Sequence, residues 1–238
     1  VNERLHASVF RHDGYTLRQL KQLIERAVAS LVRCSVMGGS GAVVVDLGAG
    51  DAPYRSLFER HGGRYIACDI QAGPSVDEVI DARGRVGLPD QSADVVVSFQ
   101  VLEHVWDIDA YLDECRRLLR PGGRLLLSTH GTWPYHPHPT DFRRWTRDGL
   151  VREIGDRGFS VVEIGSVVGL LAWTTQIRWL AFHKVLSSLG WFGRAIAAPL
   201  SGLMYLRMSL EDRVTPEAIK NNNAAVYLVT ATPKEAGT

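Results

Sequence analysis

The chain has 238 residues, 45% of them hydrophobic, with a formal net charge of +1, which suits one α/β domain large enough to bury a full core. Near neutrality, and with no dense Lys/Arg cluster, it excludes a nucleic-acid partner held by phosphate attraction, and its apolar runs are too short to span a bilayer. Val1-Asn2-Glu3-Arg4 lacks the apolar stretch of a signal peptide, and Cys34, Cys68 and Cys115 fall far apart within apolar patterns, as small buried hydrophobes do; both predict a reducing, cytoplasmic setting.

Thr16 followed by Gln19 resembles a capping box, and Leu17, Leu20, Leu23, Ile24, Ala27, Val28 and Leu31 recur at helical spacing as far as Gly38-Gly39. This predicts an amphipathic helix within an N-terminal helical cap, residues 1–40. A first strand runs to Asp46, and Pro53, fit for a first helical turn, opens a short helix through Leu57 and Phe58 to His61-Gly62-Gly63. Tyr65 to Asp69 reads as a second strand, Val76 to Ile80 as a weaker third ending before Asp81, and Ala93 to Ser98 as a fourth. Ile108, Tyr111, Leu112, Cys115, Leu118 and Leu119 mark a helix that Pro121-Gly122-Gly123 stops, after Arg116, Arg117 and Arg120 have placed favourable charge at its C-terminal end. A fifth strand, Arg124 to Thr129, a loop rich in His and Pro, a helix near Thr146 to Asp156, a sixth strand, Phe159 to Ile164, and a last strand, Ala224 to Ala231, complete the series. The alternation predicts an α/β fold with a mostly parallel sheet, right-handed crossovers, and ligands at the carboxyl ends of the strands. The expected divisions are a core over 41–165, a helical insert over 166–222 and the last strand over 223–232.

Val43-Val44-Val45-Asp46-Leu47-Gly48-Ala49-Gly50 is an apolar strand ending in an acid and a glycine turn, and Asp69 ends the next strand where a ribose needs hydrogen-bond acceptors. This is the pattern of a nucleoside site. A dinucleotide fingerprint requires a third glycine, whereas the chain continues Asp51-Ala52-Pro53-Tyr54. An acid there repels a phosphate dianion and suits a cation, which favours S-adenosylmethionine, a sulfonium with an ammonium tail, over NAD. A plain turn, with Asp46 capping it, is the other reading.

Six segments in register then resemble class I S-adenosylmethionine-dependent methyltransferases of the type 11 group: Asp46-Leu47-Gly48-Ala49-Gly50, Asp69, Asp81 with Leu88-Pro89, Asp94 to Val97, Val101-Leu102-Glu103-His104-Val105, and Leu118 to Gly123. They span about residues 42 to 165. The resemblance implies a Rossmann-like seven-stranded sheet whose last strand is antiparallel and lies beside the fifth. It also implies that Gly48, Ala49 and Gly50 pass beneath the methionine portion and that Asp46 holds the loop or the ammonium group. Asp69, with Ile70 beside it, takes the ribose hydroxyls; Asp81, with Ala82, faces the adenine amino group or is a solvated loop acid. Phe99 or Gln100 lies near the cofactor, as does His104, read as a structural hydrogen-bonding group rather than a base. Asp51-Ala52-Pro53 departs from the family's further glycine.

Methyl transfer is an in-line displacement that needs a base only when the acceptor carries a proton. The loop His130 to Trp145 leaves the working edge of the sheet and supplies candidates: His130 or His136 as base with Asp141 beside them, and Trp133, Tyr135 and Trp145 to stack on a ring of a small-molecule or glycan acceptor. Two further readings are a structural lid in which Asp141 pairs with Arg143 or Arg144, and a metal site of His130, His136, His138 and Asp141, which the intervening prolines disfavour. From Ile164 to Leu210 there is no acid, while Arg178, Lys184, Arg194 and Arg207 punctuate a run with Trp173, Trp179, Phe182, Trp191 and Phe192. This insert is either a helical cover or dimer contact, or a surface for an anionic membrane or lipid-linked acceptor, and it is expected to close the acceptor pocket. The functional expectation is O-methylation of a small molecule or glycan. The alternatives are an NAD-dependent oxidoreductase or epimerase, and a non-catalytic S-adenosylmethionine-binding accessory protein.

Overall fold

The structure is a computed structural model that describes residues 4–38 and 41–234; most of the leading Val1 to Arg4 segment and Gly39 of the expected helix stop lie outside the described residues. In chain order the elements are α1 Gly14–Arg33, β1 Val43–Leu47, α2 Arg55–Glu59, β2 Arg64–Asp69, β3 Glu78–Val79, β4 Ala93–Phe99, a 3-10 turn Leu102–His104, α3 Ile108–Leu118, β5 Leu119–His130, α4 Arg147–Asp156, β6 Phe159–Gly169, α5 Leu170–Ser188, α6 Gly190–Val214, α7 Glu217–Asn222 and β7 Ala224–Pro233. They form a seven-stranded sheet in the order β3-β2-β1-β4-β5-β7-β6, in which β7 alone runs against its neighbours. The expected α/β class and the antiparallel last strand beside the fifth are both observed.

Strand alternation builds two cores, one on each face. On β4, Val95 and Val97 point to the side covered by α1 and α2, with Ile24, Val28 and Phe58, while Val96 points to the side covered by α3 and α4, with Leu112, Leu118, Leu150 and Ile154. Burial on both faces is why these strands read as continuous apolar runs.

Local differences from the sequence reading have identifiable causes. No capping box forms at Thr16: the helix begins at Gly14, Asp13 at the N-cap position is held by Arg11 (Nε to Oδ1, 2.5 Å), and the buried Thr16 hydroxyl points to Gln176 Oε1 at 3.4 Å. Pro121-Gly122-Gly123 sits within β5, not after a helix. Leu119 already pairs with Ala93 and Arg124 with Val95, so the intervening residues are extruded as a bulge, with Gly122 at φ +79°. Cys34 is exposed, contrary to the apolar pattern around it, while Cys68 and Cys115 are buried. β6 runs on to Gly169, because β7 is long enough to pair with it to that point.

The insert is a helical hairpin of α5 and α6 followed by α7. Thr175 Oγ1 donates to Glu211 near its open end, and near the tip a Cβ on Gly193 would fall 1.8 Å from the Leu186 carbonyl, so only glycine permits the tight return. The open end is tied to α1 and the segment before it: Tyr15 donates to Asp212 Oδ2 at 2.8 Å, Arg18 to the Tyr205 hydroxyl, and Gln176 Nε2 to the His12 carbonyl.

Candidate active site

A cavity of about 1370 Å³ opens at the carboxyl ends of the parallel strands. Single small-molecule pockets usually measure roughly 300 to 1,000 Å³, so this one has room for two ligands side by side. Gly48, Ala49 and Gly50 form part of its wall. Gly48 has φ +83°, and a Cβ there would lie 2.5 Å from Val101 Cγ2, so the turn is closed to any other residue. Its amide and that of Ala49 donate to the Cys68 carbonyl, which fastens the turn to the end of β2.

Asp69 is tied to the same turn. Its Oδ2 accepts from the Gly50 amide at 2.8 Å and its Oδ1 from the Gln71 amide at 3.2 Å, which fixes the carboxylate while each oxygen retains a lone pair. Ile70, Ile80, Ala82, Phe99, Gln100 and His104 also line the cavity. Gln100 turns with φ +59° and its amide group donates to Ser128 Oγ. Asp81 is absent from the lining: its Oδ1 accepts from the Arg83 and Arg85 amides at 2.8 Å, and the Arg85 and Arg83 bonds hold its carboxyl below the usual range. Its flanking residues face the cavity in its place. Asp46 lies behind the turn, fully buried, with Oδ2 accepting from the Tyr65 hydroxyl and Oδ1 without a partner. Burial drives its carboxyl up to about 7, against the opposing Tyr65 bond.

At the end of β5, His130 is buried and lines the cavity. Its Nδ1 lies 2.8 Å from Oε1 of Glu103, a contact of charge-pair distance rather than an aligned hydrogen bond, and the Thr129 hydroxyl donates to Oε2 at 2.8 Å. Burial would raise the Glu103 carboxyl, but His130 and Thr129 outweigh it and hold it below the ordinary value. Glu103 is therefore a carboxylate that fixes the orientation of His130, leaving Nε2 as the nitrogen available to the cavity. Its partnership with His130 was not visible in the sequence, where 27 positions separate the two; an acid placed directly after buried Leu102 was the only local sign.

His136 and His138 also line the cavity, and His136 is within 6 Å, centroid to centroid, of His104, His130 and His138. Burial, and then the neighbouring imidazoles, press its pKa down to about 4, so it is neutral at physiological pH. His104 Nδ1 contacts the Thr140 carbonyl, a structural bond that pins the loop. Among the described residues no group of three or more His, Cys, Asp or Glu side chains is arranged to hold a metal ion.

Asp141 is committed to the loop. Arg144 grips both its oxygens at 2.5 and 2.7 Å, the His136 amide donates to Oδ2 at 2.7 Å, and Arg144 also donates to the Trp133 and Pro134 carbonyls. The arginine holds the Asp141 carboxyl down to about 2. Asp141→Ala is expected to lower stability by about 1 to 3 kcal/mol in thermal or denaturant unfolding. Because its folded-state pKa is depressed, this contribution is complete above the unfolded value of roughly 4 and is lost only as pH falls through about 2.

Of the three aromatic residues expected to meet an acceptor, only Trp133 reaches the cavity. Trp145 is buried in the core beneath α4, and Tyr135 is exposed outside the lining. Trp133 itself stacks on His130 (5.1 Å, 7°) and on Trp173 of α5 (5.2 Å, 26°). The insert does not close the pocket as expected, since none of its residues lines it. The opposite wall comes from Thr16, Leu17 and Leu20 of α1 and from Arg11 and Asp13 before it. The insert instead buttresses that wall and the Trp133 column from behind.

Comparison with known proteins agrees with this arrangement. Residues 45–127 match the family described as "Methyltransferase domain". A Mycolicibacterium smegmatis "Probable S-adenosylmethionine-dependent methyltransferase" is 36% identical over 107 residues, 41% of this chain and 42% of that protein. A ubiquinone biosynthesis O-methyltransferase of Xylella fastidiosa is 35% identical over 105 residues, 38% of this chain and 42% of that protein. The matches thus span less than half the length of these relatives. Among solved structures, the Burkholderia thailandensis 1,6-didemethyltoxoflavin-N1-methyltransferase shares the fold at a TM-score of 0.53 and 16% identity, over 89% of this chain and 78% of that one. The glycine turn, the tethered Asp69 and the sheet order all fall in or beside the matched segment, so residues 45–127 are similar to the methyltransferase domain of these S-adenosylmethionine-dependent enzymes, and the chain shares their fold.

Proposed function

We propose that the chain transfers the methyl group of S-adenosylmethionine to a hydroxyl oxygen of a small molecule, with His130 as general base and Glu103 as its positioning residue. The observation that carries this reading is the buried Glu103–His130 pair, with Nδ1 2.8 Å from the carboxylate and the ring lining a cavity large enough for donor and acceptor. The residues present suit the cofactor. The Gly48 turn admits no side chain, Asp69 stands ready for the ribose hydroxyls, and the unpartnered Asp46 oxygen supplies negative charge behind the place of a cationic tail.

S-adenosylmethionine, when bound, supplies a methyl group on a positively charged sulfur, open to displacement by an oxygen lone pair. His130 Nε2 accepts the acceptor's hydroxyl proton as the oxygen attacks, and Glu103 stabilises the resulting imidazolium. His136, neutral at working pH, accepts or donates a hydrogen bond without adding a repelling charge. The relatives named as O-methyltransferases favour oxygen as the target. A small acceptor is favoured over a glycan, because Trp133, the one of the three loop aromatics that reaches the wall, is already stacked against two other rings.

Titration calorimetry tests the cofactor. S-adenosylhomocysteine is expected to bind and NADH to give no heat, with S-adenosylhomocysteine affinity weakening as pH falls through about 7, where Asp46 takes up a proton. NADH binding without S-adenosylhomocysteine binding would return the chain to the oxidoreductase reading. Release of S-adenosylhomocysteine with hydroxyl acceptors separates an enzyme from a cofactor-binding accessory protein.

A further inference from the structure

The distal half of the α5–α6 hairpin lies outside both hydrophobic cores and touches the body through the stack of His183 on His12, ring centroids 4.5 Å apart. No residue between Trp173 and Met204 belongs to, or packs against, either hydrophobic core, and the hairpin is fastened to the body through its other end. Yet its tip is apolar. Phe182, Val185, Leu189, Trp191 and Phe192 are all exposed, Trp191 by 77%, in a contiguous stretch around the single-residue turn at Leu189. Soluble surfaces rarely leave such a cluster of large apolar side chains in water without an occupant.

The charges around the tip say what the occupant is. Lys184 and Arg194 are exposed within the same stretch, Arg178 follows along α5, and no acid occurs from Ile164 to Leu210. We propose that this tip docks on an anionic lipid bilayer, with Leu189, Trp191 and Phe192 entering the headgroup boundary and Lys184 and Arg194 facing lipid phosphates. Tryptophan is suited to that boundary by its apolar ring and polar N–H, and long basic side chains lay their stems on apolar surface while keeping their charge at the phosphates. No described helix is long and apolar enough to cross a membrane, so the contact is peripheral. A second copy of the chain is a poorer occupant, because a two-fold contact would oppose the tip's cations to themselves with no acid between them. The surface is independent of the methyl-transfer reading, since none of its residues lines the cavity.

Vesicle co-sedimentation with the full chain tests it. The protein is expected to pellet with vesicles of phosphatidylglycerol and phosphatidylcholine at low salt, and to stay in solution with phosphatidylcholine alone. Lys184→Glu with Arg194→Glu should weaken partitioning by about thirtyfold, since each basic residue near the surface adds attraction. Trp191→Ser with Phe192→Ser should weaken it by about tenfold or more. Both pairs lie outside the cores, so thermal unfolding midpoints are expected to be unchanged, which separates lost docking from lost folding. Failure of the wild-type chain to pellet with anionic vesicles would overturn the proposal. So would equal pelleting of wild type and both variants, or a dimer in sedimentation velocity that the Trp191/Phe192 variant dissociates.

Discussion

His130→Asn is expected to lower turnover with a hydroxyl acceptor by about 10²- to 10⁴-fold, the usual contribution of a positioned general base, with S-adenosylhomocysteine affinity changed by no more than about twofold. An asparagine amide can still donate toward Glu103 but cannot take a proton at working pH. That choice of residue matters, because leaving the buried Glu103 carboxylate without its polar neighbour costs about 1 to 3 kcal/mol or more, and His130→Ala would confuse lost catalysis with lost folding. Glu103→Gln should lower kcat with KM little changed, since Glu103 touches His130 and not the acceptor. Glu103's folded-state pKa is depressed, so its stabilisation is intact above the unfolded carboxyl range and is lost as pH falls below it. Unchanged turnover in His130→Asn, measured as S-adenosylhomocysteine release, would remove the loop histidine from the chemistry and leave alignment of donor and acceptor as the whole mechanism.

Gly48→Ala should abolish cofactor binding within the reach of calorimetry, a loss of about 100-fold or more. Two penalties act together there. At φ +83° an L-residue costs about 1 to 2 kcal/mol, and the new methyl would lie 2.5 Å from Val101 Cγ2 and 2.9 Å from Cγ1, so the turn or Val101 must move. Val101→Ala in the same chain relieves the contact but not the backbone strain, so partial recovery is the expected result. Gly50→Ala provides the contrast: φ is +54° and nothing lies within 4 Å of its Cβ, so the fold should tolerate it. Equal binding by wild type and Gly48→Ala would mean that the cofactor does not lie over this turn.

The cofactor half of the site was legible because it is local. The glycine turn and Asp69 at the end of the next apolar strand are separated by a short, regular spacing, and backbone rules at Gly48 constrain the residue whatever packs around it. Individual roles were less legible. Asp81 sits at the expected strand end but accepts from its own turn, a bond that a loop three residues long decides for itself. Thr16 had the spacing of a capping residue, and tertiary burial against Gln176 took its hydroxyl elsewhere.

The acceptor half depended on contacts that no spacing encodes. Histidines, acids and arginines in the loop after β5 were visible as a cluster, but that Arg144 grips both oxygens of Asp141, and that His130 lies against Glu103 of another loop, were not. The cavity wall likewise came from α1 and not from the insert, because the insert leaves the sheet from β6, the edge strand that β7 separates from β5.

By itself, then, the sequence determined the α/β sheet and the glycine turn, since these rest on short-range periodicity and on positive-φ positions that glycine alone fills without strain. Only the tertiary structure decided which histidine has a buried carboxylate, which acid is bound to the loop, and which aromatic residues are left in water. Those depend on burial and pairing between residues far apart in the chain, and a charged or aromatic side chain acquires its role only from what surrounds it.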